Sequence, residues 1–325
     1  MRLDTANRSF LALVAVAVVP YLVLGTFACG VLSIVGYRLV TDGWSAVSGD
    51  GALRPALPLL AIVATGTILA AWSATRQLVA TRRLARVVAA SRLPASGTAT
   101  VAERAGVRRL DVIDATDAYS FTYGLGRPRV AVSRGLLDAT TPEELEAVLL
   151  HERYHVRNLD TLKVLVARAL AAAFFFLPAL RHLRSRYLAA RELAADRAAL
   201  RVAGAKPLAG ALYKAVAGPP DTLLGAAAAL GGSGVLEARL GQLERSEEPA
   251  LPPIPSSVVA VTAAGLFLTA VAGIVAGAAV GDGGMGMTMD GSSSGMLDVV
   301  GPALCAVGWA LVVLTVVRRV AAGRG

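Results

Sequence analysis

Two of the chain's three histidines stand four residues apart, with a glutamate directly after the first: His151-Glu152-Arg153-Tyr154-His155. On a helix, residues four apart project from one face, so His151 and His155 can both offer a ring nitrogen to one ion. Glu152 lies one step round the helix, where its carboxylate reaches a water beside the metal rather than the metal itself. This is the H-E-x-x-H arrangement of zinc hydrolases, with the glutamate as general base. The bland alternative is a surface helix that carries the pattern by accident, and scarcity of histidine weighs against it.

The segment TPEELEAVLLHERYHVRNLD, 141–160, supplies the helix. Thr141 suits the N-cap, Pro142 the first helical position, and Glu144 completes a capping box. Neither Gly nor Pro follows Pro142 until Pro178, so the motif falls in a helix interior.

Two histidines need a third protein ligand, because a catalytic zinc keeps its fourth position for water. A helix expected over 186–202, stopped by Gly204 and Pro207, carries Glu192 and Asp196 four apart. Glu192 is the expected third ligand. Asp196 is expected to accept a hydrogen bond from a ligand histidine and fix its tautomer. Alone, the pair would read as a solvated face among arginines; the upstream motif makes the ligand reading the stronger one. His182 is the rival ligand, although a lone histidine among arginines is more often interfacial. The longer H-E-x-x-H-x-x-G-x-x-H pattern fails, since Asn158 and Thr161 occupy its Gly and final His positions. An aspartate from a late apolar span is excluded too, as the last two spans hold no central carboxylate.

The elements that position these residues are set in a membrane-type chain. Of 325 residues 55% are hydrophobic and 17% charged, and the apolar residues come in long blocks. The net charge of +9 could suggest nucleic acid, but aromatics are few and no recognition motif occurs. A positive-inside bias accounts for the arginines better. Both cysteines, Cys29 and Cys305, sit in apolar runs, which excludes a disulfide framework and a Cys-based zinc site.

Four spans are expected: 10–36, 55–75, 256–280 and 299–317. The first is read as a retained span, its apolar core being too long for a signal peptide. Residues 76–255 hold 25 of the 32 Lys and Arg, beginning with Arg76, Arg82, Arg83, Arg86 and Arg92. That portion and both termini are therefore placed in the cytoplasm. The expected organisation is two spans with a short external loop in 1–75, a cytoplasmic domain in 76–250, and two spans joined by an external loop in 251–325. Residues 161–180 are apolar, yet a full crossing there would carry Glu192 away from His151 and His155. They are read as a re-entrant or interfacial helix that turns near Pro178.

Between Leu110 and Leu137 the short runs LDVID, YSFTYG and RVAVS predict a small sheet ahead of the metal helix. An edge strand at 129–133 could hold a peptide by strand addition, or be an ordinary structural strand. Two helices are expected within 207–246, then a stiff Pro-rich linker. In the external loop, Met285, Met287, Met289 and Met296 form a soft thioether set suited to Cu(I), although incidental methionines in a Gly/Ser loop are the blander account.

The run GLGRPRVAVSRGLLDATTPEELEAVLLHERYHVRNLD, followed by RELAADRAA, resembles the BlaR/MecR-type membrane metallopeptidases, especially their short actinobacterial forms. It is more distantly similar to HtpX- and CAAX-protease-type enzymes. The resemblance is strong over about residues 120–203 and architectural elsewhere. It implies a mainly α polytopic membrane protein with four transmembrane helices and a cytoplasmic gluzincin domain of small sheet, HExxH helix and ExxxD helix. It further implies one zinc on His151, His155 and Glu192, with Glu152 as base and Asp196 in support. Relatives act in a pathway that inactivates a BlaI-type winged-helix repressor, so such a repressor is the implied protein substrate. Few residues follow the last expected span, so the penicillin-binding sensor of the antibiotic receptors is not expected. An external signal would then act through loops 38–54 and 281–298.

The expected chemistry is peptide-bond hydrolysis at the cytoplasmic face of the cell membrane, with Tyr154, Tyr213 and Arg197 as candidate oxyanion donors. Two other readings stand beside regulatory proteolysis: a protease for damaged membrane proteins, and a non-catalytic scaffold with a structural zinc. An intact Glu152 counts against the scaffold, since a structural site has no use for a base.

Overall fold

A computed structural model describes residues 4–41, 43–44, 57–94, 97–216, 235–245, 249, 251 and 253–282. The expected fourth span, 299–317, and the external methionines lie outside these residues. The described chain is mainly helical with one small sheet, and it divides into two compact units.

The first unit comprises residues 1–10, 73–168 and 184–252. Its sheet has four strands: β1 (Arg92–Leu93), β2 (Leu110–Ile113), β3 (Ser120–Tyr123) and β4 (Arg129–Ser133). They lie in the order β1-β2-β4-β3, with β2 and β4 parallel and both outer pairs antiparallel. The three expected strands are present. The assignment of 129–133 to an edge is corrected, however: β4 is paired on both sides, and the free long edge belongs to β3. Edge or centre depends on pairing order, and β2 skips the intervening strand to pair with β4.

Strand alternation gives the sheet two buried faces. Ser120 stands opposite Val132 and Thr122 opposite Val130, so all four share one face. Val130 and Val132 pack there with Leu145, Val148 and Leu149 of the motif helix. On the other face Ile113, Phe121, Tyr123 and Ala131 pack with Val88, from the last turns of the helix that ends at Ala90. Asp111 binds the strands together at one end. It is 2% exposed and meets Arg92 of β1 at 2.8 Å, Arg129 of β4 at 2.6 Å and the Tyr123 hydroxyl of β3 at 2.6 Å.

Helices of this unit follow in chain order: α3 (Ala99–Ala105), α4 (Arg134–Ala139), α5 (Pro142–Asn158), α8 (Ala205–Val216) and α9 (Leu236–Arg245). Four described helices have residues in both units: α1 (Thr5–Thr41), α2 (Leu57–Ala90), α6 (Asp160–Ala173) and α7 (Pro178–Ala203).

The second unit comprises residues 11–72, 169–183 and 253–325. It includes α10 (Ser256–Asp282) and the turn between α6 and α7. The turn spans Phe174–Leu177, just ahead of the proline expected to mark it. A Cβ on Gly66 of α2 would lie 2.3 Å from the Ala173 carbonyl oxygen, so only glycine permits that approach. On the other side Thr262 of α10 accepts a bond from the Ala179 amide at 3.1 Å. Two described helical segments, Thr5–Leu22 and Leu57–Ala90, are long and apolar enough to cross a membrane; Ser256–Ala272 is a shorter apolar segment.

Candidate metal centre

Helix α5 begins as its sequence dictates. Thr141 accepts from the Glu144 amide, the Glu144 carboxylate accepts from the Thr141 amide at 2.8 Å, and Pro142 opens the first turn. Lys214 of α8 also pairs with Glu144. With its start fixed and its apolar side buried on the sheet, α5 turns His151, Glu152 and His155 into the interior, where all three are buried.

The helix stops at Leu159, which is left-handed at φ 52°, the one positive-φ non-glycine among the described residues. That conformation costs a branched side chain about 1–2 kcal/mol. It ends one helix and starts the next within a single residue, and so brings Asp160 beneath His155. Strain of this kind gathers where a site demands an exact backbone.

Each motif histidine has its Nδ1 fixed by a carboxylate. His151 Nδ1 lies 2.8 Å from Asp196 Oδ1, and His155 Nδ1 lies 2.7 Å from Asp160 Oδ2. A carboxylate acceptor sets Nδ1 as the donor and leaves Nε2 free to bind. The two Nε2 atoms stand 3.2 Å apart, and Glu192 Oε2 lies 3.5 Å from His151 Nε2 and 3.8 Å from that of His155. Ligands at about 2.0–2.2 Å on a tetrahedral zinc are separated by about 3.3–3.6 Å. The triangle of donors fits that spacing closely. The His-His-Glu set can therefore hold a metal ion.

The surrounding charges favour a cation. Burial opposes charge on His151, but the hydrogen bonds it donates to Asp196 and Glu192 outweigh it and push the imidazole up to about 9. Burial also resists ionisation of Glu192, yet Arg191 and the two imidazoles hold its carboxyl well below the usual carboxylate range. Asp196 is lowered in the same way against its burial, by Arg239 and His151.

Glu152 points toward the sheet. Ser120 Oγ donates to its Oε1 at 2.9 Å and Thr122 Oγ1 to its Oε2 at 2.8 Å. Both hydroxyls come from β3, the strand with the free edge. Thus the structure brings together His151, Glu152, His155, Glu192 and Asp196, all five expected site residues. His182 is exposed on α7 and is not in the donor group. Of the candidate oxyanion donors, Tyr154 has its hydroxyl bound to Asp4 and Tyr213 is 76% exposed on α8; Arg197 lies on α7 beyond Asp196.

Sequence reasoning missed Ser120, Thr122, Asp160 and Arg239. Arg239, on α9, donates to both oxygens of Asp196. A buried aspartate demands a cation, but a chain with so many arginines does not reveal which one. Asp160 carried a signal, as the first acid after the motif, although only the αL turn at Leu159 brings it back.

The profile of the family described as BlaR1 peptidase M56 matches residues 50–240. A protease HtpX homolog of Acaryochloris marina is 31% identical over 152 residues, covering 45% of this chain and 50% of that protein. One from Aquifex aeolicus is 41% identical over 61 residues, 19% of this chain and 20% of that protein. Protease HtpX homolog 2 of Methanosarcina mazei is 46% identical over 48 residues, 15% of this chain and 16% of that protein. The chain thus spans about half the length of the first relative and a fifth or less of the other two. No solved structure matches it.

Proposed function

The chain belongs to the BlaR1 peptidase M56 family of membrane metallopeptidases, and from that premise we propose that it is a zinc-dependent endopeptidase working at the cytoplasmic membrane face. The observation that carries this reading is the convergence of His151 Nε2, His155 Nε2 and Glu192 Oε2 at near-tetrahedral spacing beside Glu152.

His151, His155 and Glu192 would hold the zinc, one ion per chain. A zinc so held supplies Lewis acidity, which makes water a stronger acid and a carbonyl a better electrophile. Glu152 takes the proton from the attacking water on a carboxylate oxygen and returns it to the leaving amide nitrogen. Ser120 and Thr122 hold that carboxylate in one orientation, so little of its freedom is lost as the reaction proceeds. The free edge of β3 would receive the peptide as an added strand, which places an extended backbone beside Glu152. Asp196 and Asp160 orient the ligand imidazoles.

In this reading four spans hold the domain at the bilayer, both termini are cytoplasmic, and α6 with the start of α7 is a re-entrant hairpin. The apolar helices and the family support a membrane location. The protein substrate is a BlaI-like winged-helix repressor, on the strength of the sequence resemblance. Glu152→Gln tests the chemistry: the variant retains zinc and loses cleavage of an unfolded reporter protein. Retained proteolysis in the purified variant would sink the mechanism.

A further inference from the structure

The start of the first helix is built into the support of a proposed ligand. Asp4 caps α1, accepting from the Asn7 amide at 2.8 Å, and its other oxygen accepts from the Tyr154 hydroxyl at 2.5 Å. Asn7 accepts from Lys163 Nζ at 2.6 Å and reaches Asn158 at 3.4 Å. Lys163 also lies 5.8 Å from the centre of the Phe10 ring. Phe10 packs on Tyr187 with ring centres 5.4 Å apart.

Two routes lead from these contacts to His155. Tyr154 precedes it in sequence and meets its ring edge-on, at 5.9 Å. Tyr187 is fully buried and donates to Asp160 Oδ1 at 3.1 Å, while Asp160 Oδ2 takes His155 Nδ1 at 2.7 Å. An element that served only as an anchor would need apolar contact alone. This one makes three hydrogen bonds and one cation–ring contact across 150 or more positions of chain, and the bond to Tyr154 falls on a residue that packs on His155.

We infer that Asp4, Asn7 and Phe10 are positioning residues for His155. The inference rests on the proposed role of His155 as a ligand. Loss of the Asp4–Tyr154 bond or of the Phe10–Tyr187 packing frees the wall, and His155 no longer holds its Nε2 toward that of His151.

The experiment uses the full chain in detergent. Zinc affinity is read by chelator competition, and amide exchange is followed across residues 110–163. Asp4→Ala with Phe10→Ala should lower zinc affinity about tenfold, the lower end of the cost of removing outer-shell partners. Exchange should rise over 154–163 and stay slow over the strands at 110–133. Asp4→Asn alone keeps one of the two acceptor oxygens and the Phe10 ring, and should restore part of the affinity. Tyr187→Phe should weaken zinc with α1 intact. Wild-type affinity and exchange in the double variant would overturn the coupling. If the unaltered chain binds no zinc, the metal reading fails by itself, and unchanged exchange over 154–163 would still overturn the coupling.

Discussion

The guanidinium of Arg239 donates to both oxygens of Asp196, Nε to Oδ2 at 2.6 Å and Nη2 to Oδ1 at 2.8 Å, and Asp196 in turn receives His151 Nδ1. Asp196 has no exposed surface, so its charge depends on these partners. A planar fork matches both oxygens and fixes the plane of the carboxylate, which a point charge cannot do.

Arg239→Lys therefore keeps the charge and loses the alignment of His151. Zinc affinity should fall about tenfold with the fold intact. Arg239→Met also strands a buried carboxylate, and it should destabilise the chain by about 3–5 kcal/mol. Chelator competition and thermal unfolding, run on both variants, separate the two effects. Equal affinities for Lys and Arg at this position would show that the fork has no part in holding His151.

The hydroxyls on β3 predict a different pattern. Ser120→Ala with Thr122→Val leaves the three donor atoms untouched, so zinc binding should be unchanged. Glu152 loses its two fixed partners and samples other rotamers, and kcat should fall about 10–100-fold while KM moves little. Ser120→Thr with Thr122→Ser retains both donors and should recover most of the rate. A large rise in KM at unchanged kcat would instead assign these hydroxyls to substrate binding.

Asp111 gives a stability prediction with a defined pH window. Burial resists its ionisation, but Arg129 and Tyr123 outweigh it and lower its carboxyl below the ordinary value. A lowered folded pKa means a contribution fully present above the unfolded value of about 3.9, and lost as pH falls through the folded one. Asp111→Asn should thus be less stable than the unaltered chain at pH 7, by about 3 kcal/mol. The gap should close below pH 4. Parallel unfolding curves with a constant gap from pH 7 to 3 would contradict this account.

Much of the site is legible in the sequence because local rules determine it. The Thr141–Glu144 capping box, the four-residue spacing of His151 and His155, and that of Glu192 and Asp196 all follow from helix periodicity. Strands β2, β3 and β4 announce themselves through β-branched and aromatic runs. What escapes is set by pairing over long distances. That β4 is central while β3 is the edge depends on which strands meet, and alternation within one strand is silent on that. Ser120 and Thr122 look like ordinary polar strand residues until β3 is laid beside α5. Asp160 comes into place only because Leu159 adopts a left-handed conformation that a leucine does not advertise. The Asp4–Tyr154 bond joins residues 150 apart in the chain, and nothing in either neighbourhood marks it. The second apolar helix continues to Ala90, past the expected end at 75, because the Arg-rich segment after it is also free of Gly and Pro.

The most direct measurement is the zinc content of the full chain, purified in detergent and dialysed against trace metal, beside Glu192→Ala. The account predicts one zinc per chain, with affinity reduced at least a hundredfold in the variant, since one of three protein ligands is gone. Zinc bound equally well by the variant would remove Glu192 from the centre. A wild-type chain that takes up no zinc would contradict the proposed metallopeptidase itself.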